Sequence, residues 1–219
     1  DDPQYKVYGE ETRAMVDKLR ARAFEEVHII SFDGLRLFGR WYEGKKDSPV
    51  AVLCHGYRGS AYRDVSGGSD IFLSLGWNVL LIDQRAHGKS EGEEIQMGWK
   101  DRFDVIRWTK VAEELFRDSL TESRVVVHGV SMGAATTMCV SGEELPEYVT
   151  AFVEDCGYTS VWDEFRGELR AQFSLPPFPL LYTASALCKL KYGWSFGEAA
   201  PIKQVAKCHR PMLFIHGDA

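Results

Sequence analysis

Five short, wholly apolar runs punctuate this chain, at residues 50–54, 79–82, 125–127, 151–153 and 212–215. None alternates apolar with polar residues, so each is expected to bury both of its faces. Helical patterns lie between them. Residues 69–75 form a short one, with Ser69 as its cap and Gly76 as its end. Residues 99–116 place Trp99, Phe103, Ile106, Val111 and Leu115 on one face, and residues 131–140 are rich in alanine. Fully buried strands that alternate with helices define a mostly parallel sheet covered on both sides, an α/β architecture. Ahead of it, the β-rich runs 27–30 and 35–42 are joined through Asp33-Gly34, a favoured tight-turn dipeptide, so an antiparallel hairpin opens the sheet. Residues 9–24 read as an amphipathic helix, with Met15, Leu19 and Ala23 recurring every four positions.

The 219 residues suit one α/β core of about 25–161, preceded by the helix in 1–24. An insertion at 162–208 interrupts the strand-helix alternation. It contains Pro176-Pro177-Phe178-Pro179 and separates two strands by far more than the usual connection. It is expected to form the helices of a lid. Its aromatics, among them Phe173, Phe178, Tyr182, Tyr192 and Trp194, either cap a cleft, favouring an acyl chain or aromatic group, or pack the insertion's own core. Residues 209–219 then return to the core.

Charge narrows the partners. With 26 basic against 32 acidic residues and no basic stripe, no nucleic-acid partner is expected. No apolar run approaches the ~18 residues of a membrane helix. The first helix has a charged face of mixed sign, so no membrane association is expected of it. Five widely spaced cysteines without a Cys-x-x-Cys pair argue against structural zinc and for a reducing, cytoplasmic setting. The chain begins Asp1-Asp2-Pro3; a processed leader ahead of it would make the protein anchored or exported.

The chemistry centres on Gly129-Val130-Ser131-Met132-Gly133, a Gly-x-Ser-x-Gly between a strand and a helix. In that context the serine sits on a sharp turn that presents its hydroxyl, and the glycines keep strand and helix clear of it. The following helix N-terminus favours a developing anion. Acyl transfer also needs two N–H groups for the tetrahedral oxygen. Met132, just after the serine, offers one, and the turn His55-Gly56-Tyr57-Arg58-Gly59-Ser60 offers that of Tyr57. His-Gly recurs at 55–56, 87–88, 128–129 and 216–217, at or near the ends of apolar runs, where parallel sheets form ligand sites.

These residues carry a resemblance. With Asp83-Gln84-Arg85-Ala86-His87-Gly88-Lys89-Ser90 and Pro211-Met212-Leu213-Phe214-Ile215-His216-Gly217, they make residues 25–219 similar to the α/β-hydrolase superfamily, closest to its serine-aminopeptidase-like and lysophospholipase-like esterases. The resemblance implies an α/β-hydrolase fold and a serine hydrolase that cleaves a carboxylic ester, thioester or amide through an acyl-enzyme on Ser131. It implies no metal or cofactor, and a small ester, acyl or short-peptide substrate. Asp83 and Arg85 would tie together the loop beside the cleft. The family order is serine, acid, histidine, which places the acid and the histidine, with one more strand and helix, beyond Ala219. Asp155 and Asp218 are weaker candidates for the acid. His87, His209 and His216 read as structural, His216 as a buried turn residue. Cys54-His55 is no dyad, because strand neighbours face opposite ways. The alternative is a catalytically incomplete protein of the same fold that holds a ligand without turnover. The oligomeric state is not legible.

Overall fold

The computed structural model describes residues 6–116 and 124–217. The chain opens with α1 (Lys6–Ala21), β1 (Glu25–Ile30), β2 (Arg36–Tyr42) and β3 (Val50–Cys54). There follow α2 (Ala61–Asp64), α3 (Ser66–Ser74), β4 (Asn78–Asp83), α4 (Asp101–Phe116) and β5 (Val125–Val130). The rest is α5 (Met132–Ser141), β6 (Val149–Asp155), α6 (Val161–Phe173), α7 (Leu180–Tyr192), α8 (Pro201–Val205) and β7 (Met212–Ile215).

One seven-stranded sheet runs in the order β1-β2-β4-β3-β5-β6-β7. β1 pairs antiparallel with β2, and β2 with β4; every other pairing is parallel. The expected α/β-hydrolase architecture is therefore present, hairpin included. Packing explains why β3 and β4 are buried along their whole length. On one face Val52, Ile82 and Val127 meet Val105, Trp108 and Ala112 of α4 and Val140 of α5. On the other, Ala51, Leu53 and Leu81 meet Leu19 of α1 and Ala61 and Val65 beside α3. Each buried Val, Leu or Ile among them contributes roughly 1.5–3 kcal/mol by leaving water, so the two apolar layers hold the sheet between the helices.

Three local expectations change. The first helix begins and ends about three residues earlier than its periodicity suggested, and Lys18 pairs with Asp70 of α3. Ser69 is no cap: it lies inside α3 and its hydroxyl donates to the Val65 carbonyl oxygen (2.7 Å). A buried serine inside a helix finds that acceptor one turn back. The aromatics of residues 162–208 fall into two groups. Trp194 and Phe196 pack with Leu181, Cys188, Met97 and Met132, whereas Phe173, Phe178 and Tyr182 stand exposed. Leu213, Phe214 and Ile215 are likewise exposed on β7, the outermost strand beside β6. No helix among the described residues is long and apolar enough to cross a membrane.

Candidate active site

Ser131 stands between β5 and α5 with φ 55° and ψ −118°. An L-residue reaches that conformation only when its surroundings force it there. The surroundings are specific. The Ser131 N–H donates to the carbonyl oxygen of Asp155 at the end of β6 (2.8 Å). A Cβ on Gly133 would collide with the backbone carbonyls of Cys54 and His55, and one on Gly129 with the backbone of Gly133 and Ala134. Only glycine lets strand and helix approach this closely. The Ser131 side chain is exposed, and its Oγ makes no hydrogen bond to any described residue. It lies at the N-terminus of α5, where the first N–H groups have no partner within the helix.

The turn after β3 lies alongside. A Cβ on Gly56 would stand 3.4 Å from Ser131 Cβ. Within residues 56–59 the Gly56 N–H donates to Asp64 Oδ2 (3.0 Å), Arg58 N–H to His87 Nε2 (3.1 Å) and Gly59 N–H to the Gly56 carbonyl oxygen (3.2 Å). The Tyr57 N–H alone has no acceptor among the described residues. His55 is buried and doubly held. Its Nδ1 lies 2.9 Å from the Gly56 carbonyl oxygen, and its Nε2 accepts the Gln84 N–H (3.1 Å). Burial, above all, holds its pKa below the usual imidazole value.

Buried charge braces the loop after β4. Asp83 pairs with Arg40 (3.0 Å) and accepts the Lys89 N–H, while Ser90 donates its hydroxyl hydrogen to the Asp83 carbonyl oxygen. Arg85 binds Asp104 (2.7 Å) and grips both carboxylate oxygens of Asp33 (3.0 Å each). Beneath this network Asp101 is buried, and desolvation pushes its carboxyl up to about 7 against the opposing pull of Arg85.

His128 differs from the other buried histidines. Neither ring nitrogen has a partner, and the ring is pressed against Gly68 and Phe72 of α3. Burial lowers its pKa, opposed by the Asp155 carboxylate. The unfolded chain titrates near 6.5, so below that pH it binds a proton that the folded protein refuses. Stability is then lost as pH falls from about 6.5 toward the depressed folded value, by about 1.4 kcal/mol per unit of depression. His128→Leu is expected to lose less melting temperature than the wild type between about pH 7.5 and 5.5; equal losses would show that His128 carries none of the acid sensitivity.

A cavity of 580 Å³ opens beside Tyr57 and Arg58. Ile95 and Met97 wall it from the loop after β4; Phe165, Leu187 and Tyr192 wall it from α6 and α7. Three contacts tie these walls together, one of them the Tyr192 hydroxyl donating to Glu94 Oε1 (3.0 Å). Lys191 pairs with Glu94 (2.7 Å), and the Trp194 indole N–H donates to Gln96 Oε1 (2.9 Å).

Ser131, Tyr57 and Met132 are thus brought together, as their spacing suggested. Asp155 enters through its backbone carbonyl, while its carboxylate neighbours the Cys156 thiol. Asp218 lies outside the described residues. Among the described residues His216 is exposed rather than buried, following the last described strand, β7. Among the described residues no group of three or more His, Cys, Asp or Glu side chains could hold a metal ion. Sequence reasoning missed Asp64. Its only signal was an acidic residue shortly after a glycine-rich turn.

The sheet, the crossovers and the strained serine turn define a known class. Residues 49–175 match the family described as alpha/beta hydrolase fold, and the chain belongs to it. It is similar to the Uncharacterized protein YqkD of Bacillus subtilis, 32% identical over 171 residues that make up 78% of this chain and 55% of that protein. It is also 28% identical to the Thiohydrolase aneE of Aspergillus aculeatus over 53% of this chain and 37% of that one. The chain thus spans about half the length, or less, of these relatives. Among solved structures, the Pyrococcus furiosus esterase Pf2001 superposes with a TM-score of 0.67 at 23% identity, covering 90% of this chain and 72% of that one. That likeness concerns the fold.

Proposed function

We propose that this chain carries the nucleophile and the anion-binding amides of a serine hydrolase. The observation that carries the reading is Ser131 itself: an exposed, unbonded hydroxyl held at φ 55° at the head of α5, beside the unpaired N–H of Tyr57. Ser131 Oγ attacks the substrate carbonyl carbon, and the C=O electron pair moves onto oxygen. The N–H groups of Tyr57 and Met132 hold that oxyanion. Its collapse expels the alcohol, thiol or amine, and water then cleaves the acyl-enzyme to free acid and Ser131. The proton needs a base. No described histidine bonds Ser131, so on this reading the histidine and its acid come from polypeptide outside the described residues.

The apolar cavity beside Tyr57 suits an acyl chain or aromatic group, with the insertion as its cap. The similarity to a thiohydrolase and the fold shared with an esterase support acyl chemistry in general. The test is fluorophosphonate labelling of the full-length protein followed by peptide mass mapping. One adduct on Ser131, with turnover of short-chain esters, is the expected result. No adduct and no turnover would favour the rival reading, a ligand-holding protein.

A further inference from the structure

The Tyr57 N–H is free because its neighbours are tied down, and one of the ties comes from a remote loop. His87 Nδ1 lies 2.9 Å from the Arg85 carbonyl oxygen. A carbonyl only accepts, so Nδ1 carries the hydrogen and Nε2 presents its lone pair. That lone pair receives the Arg58 N–H at 3.1 Å, with Arg58 itself at φ 47°. The left-handed backbone is costly for an arginine, and the His87 bond is what answers it. On the other side of Tyr57, Asp64 Oδ2 takes the Gly56 N–H (3.0 Å) and fills the space a Cβ on Gly59 would need. The His87 ring also packs edge-on against His55, centroids 4.7 Å apart. The peptide units on both sides of Tyr57 are therefore fixed by side chains, and only the Tyr57 amide is left to a ligand.

We propose that His87 is a positioning residue of the oxyanion hole: its neutral Nε2 clamps the Arg58 peptide, and the clamp aims the Tyr57 N–H at the carbonyl oxygen over Ser131. His87 touches no reacting atom. The proposal rests on the reading of Ser131 as nucleophile. It goes beyond that reading by assigning a role to the loop after β4, whose other polar contacts are structural.

The test separates the acceptor from the ring. His87→Phe keeps an aromatic ring against His55 and removes the acceptor. His87→Gln loses the ring and restores a side-chain oxygen at about the reach of Nε2. Misplacing one of two oxyanion donors should lower kcat roughly ten- to hundred-fold in His87→Phe, with KM within about two-fold and slower fluorophosphonate labelling of Ser131. His87→Gln should recover most of both rates. Were both variants equally impaired in kcat and KM, in step with their melting temperatures, His87 would be a packing residue and the proposal overturned. Unchanged kcat in His87→Phe would overturn it as well. Should neither variant fold, the long-range ¹H–¹⁵N correlation spectrum of the wild-type imidazoles decides: hydrogen on Nδ1 is expected, and hydrogen on Nε2 rules the clamp out. Wild-type protein in which Ser131 takes no label would overturn the nucleophile reading and this one with it. A labelled wild type with unimpaired His87→Phe removes only the clamp.

Discussion

Replacing Ser131 with glycine is expected to abolish hydrolysis by the full-length protein while making it more stable. The two effects have one cause. At φ 55° and ψ −118°, the serine Cβ crowds its own backbone, at a cost of about 1–3 kcal/mol. Glycine removes both the nucleophile and that crowding. Ser131→Ala removes the hydroxyl and keeps the Cβ, so it should be equally inactive without the gain. For a chain of this size 1 kcal/mol corresponds to roughly 2–4 °C in Tm, so the glycine variant should melt several degrees above the alanine variant. Turnover of both should fall on the order of 10⁴-fold or more. Equal melting temperatures would show that the turn is unstrained, and near-normal turnover would remove Ser131 from the chemistry.

Gly133→Ala should act in the opposite direction. The added Cβ would overlap the Cys54 carbonyl oxygen and lie 2.7 Å from that of His55. Cys54 ends β3, the central strand, which is buried and paired on both sides, and His55 directly follows it. Backbone there cannot give way as a flexible side chain could. Either β3 and α5 separate, losing sheet packing, or α5 shifts and carries the Met132 amide with it. A loss of about 3 kcal/mol is expected, at the upper end for overpacked sites, together with loss of Ser131 labelling. Gly167→Ala is the control: it sits in α6 with open space around its Cβ position, so alanine should add about 0.5–1 kcal/mol. Urea unfolding of the two variants tests both signs, and a Gly133→Ala protein as stable as wild type would mean that the close contact is not required.

Much of this architecture was legible because its signals are local. The runs 50–54 and 212–215 coincide with β3 and β7. β5 extends past the apolar 125–127 through His128 to Val130, since pairing with β3 and β6 outweighs a polar residue and a glycine. The Ser131 turn was legible for the same reason: its glycines lie two positions away on each side. What stayed hidden rests on contacts that no short sequence pattern announces. Asp64 reaches Gly56 from a four-residue helix that no periodicity announces. His87 meets Arg58 across 29 positions. Neither residue type is unusual at its site; the short helix α2 folds Asp64 back onto the turn, and the crossover from β3 to β4 brings His87 to Arg58.

Met132 belongs to two structures at once. Its amide follows Ser131 at the head of α5, and its side chain is buried with Leu181, Cys188 and Trp194 of the insertion. On the proposed reading Met132 thus joins residues 162–208 to the anion-binding backbone, and Tyr57 and Arg58 border the same cavity from the other turn. On the proposed reading, a ligand that repacks α7 would bear on the cluster that buries the Met132 side chain, so cavity occupancy and the seating of this amide would share one free energy. In such an arrangement selectivity need not reside only in which molecules fit. On that reading it would also be set by how well each of them, once bound, lets the Met132 amide come to rest.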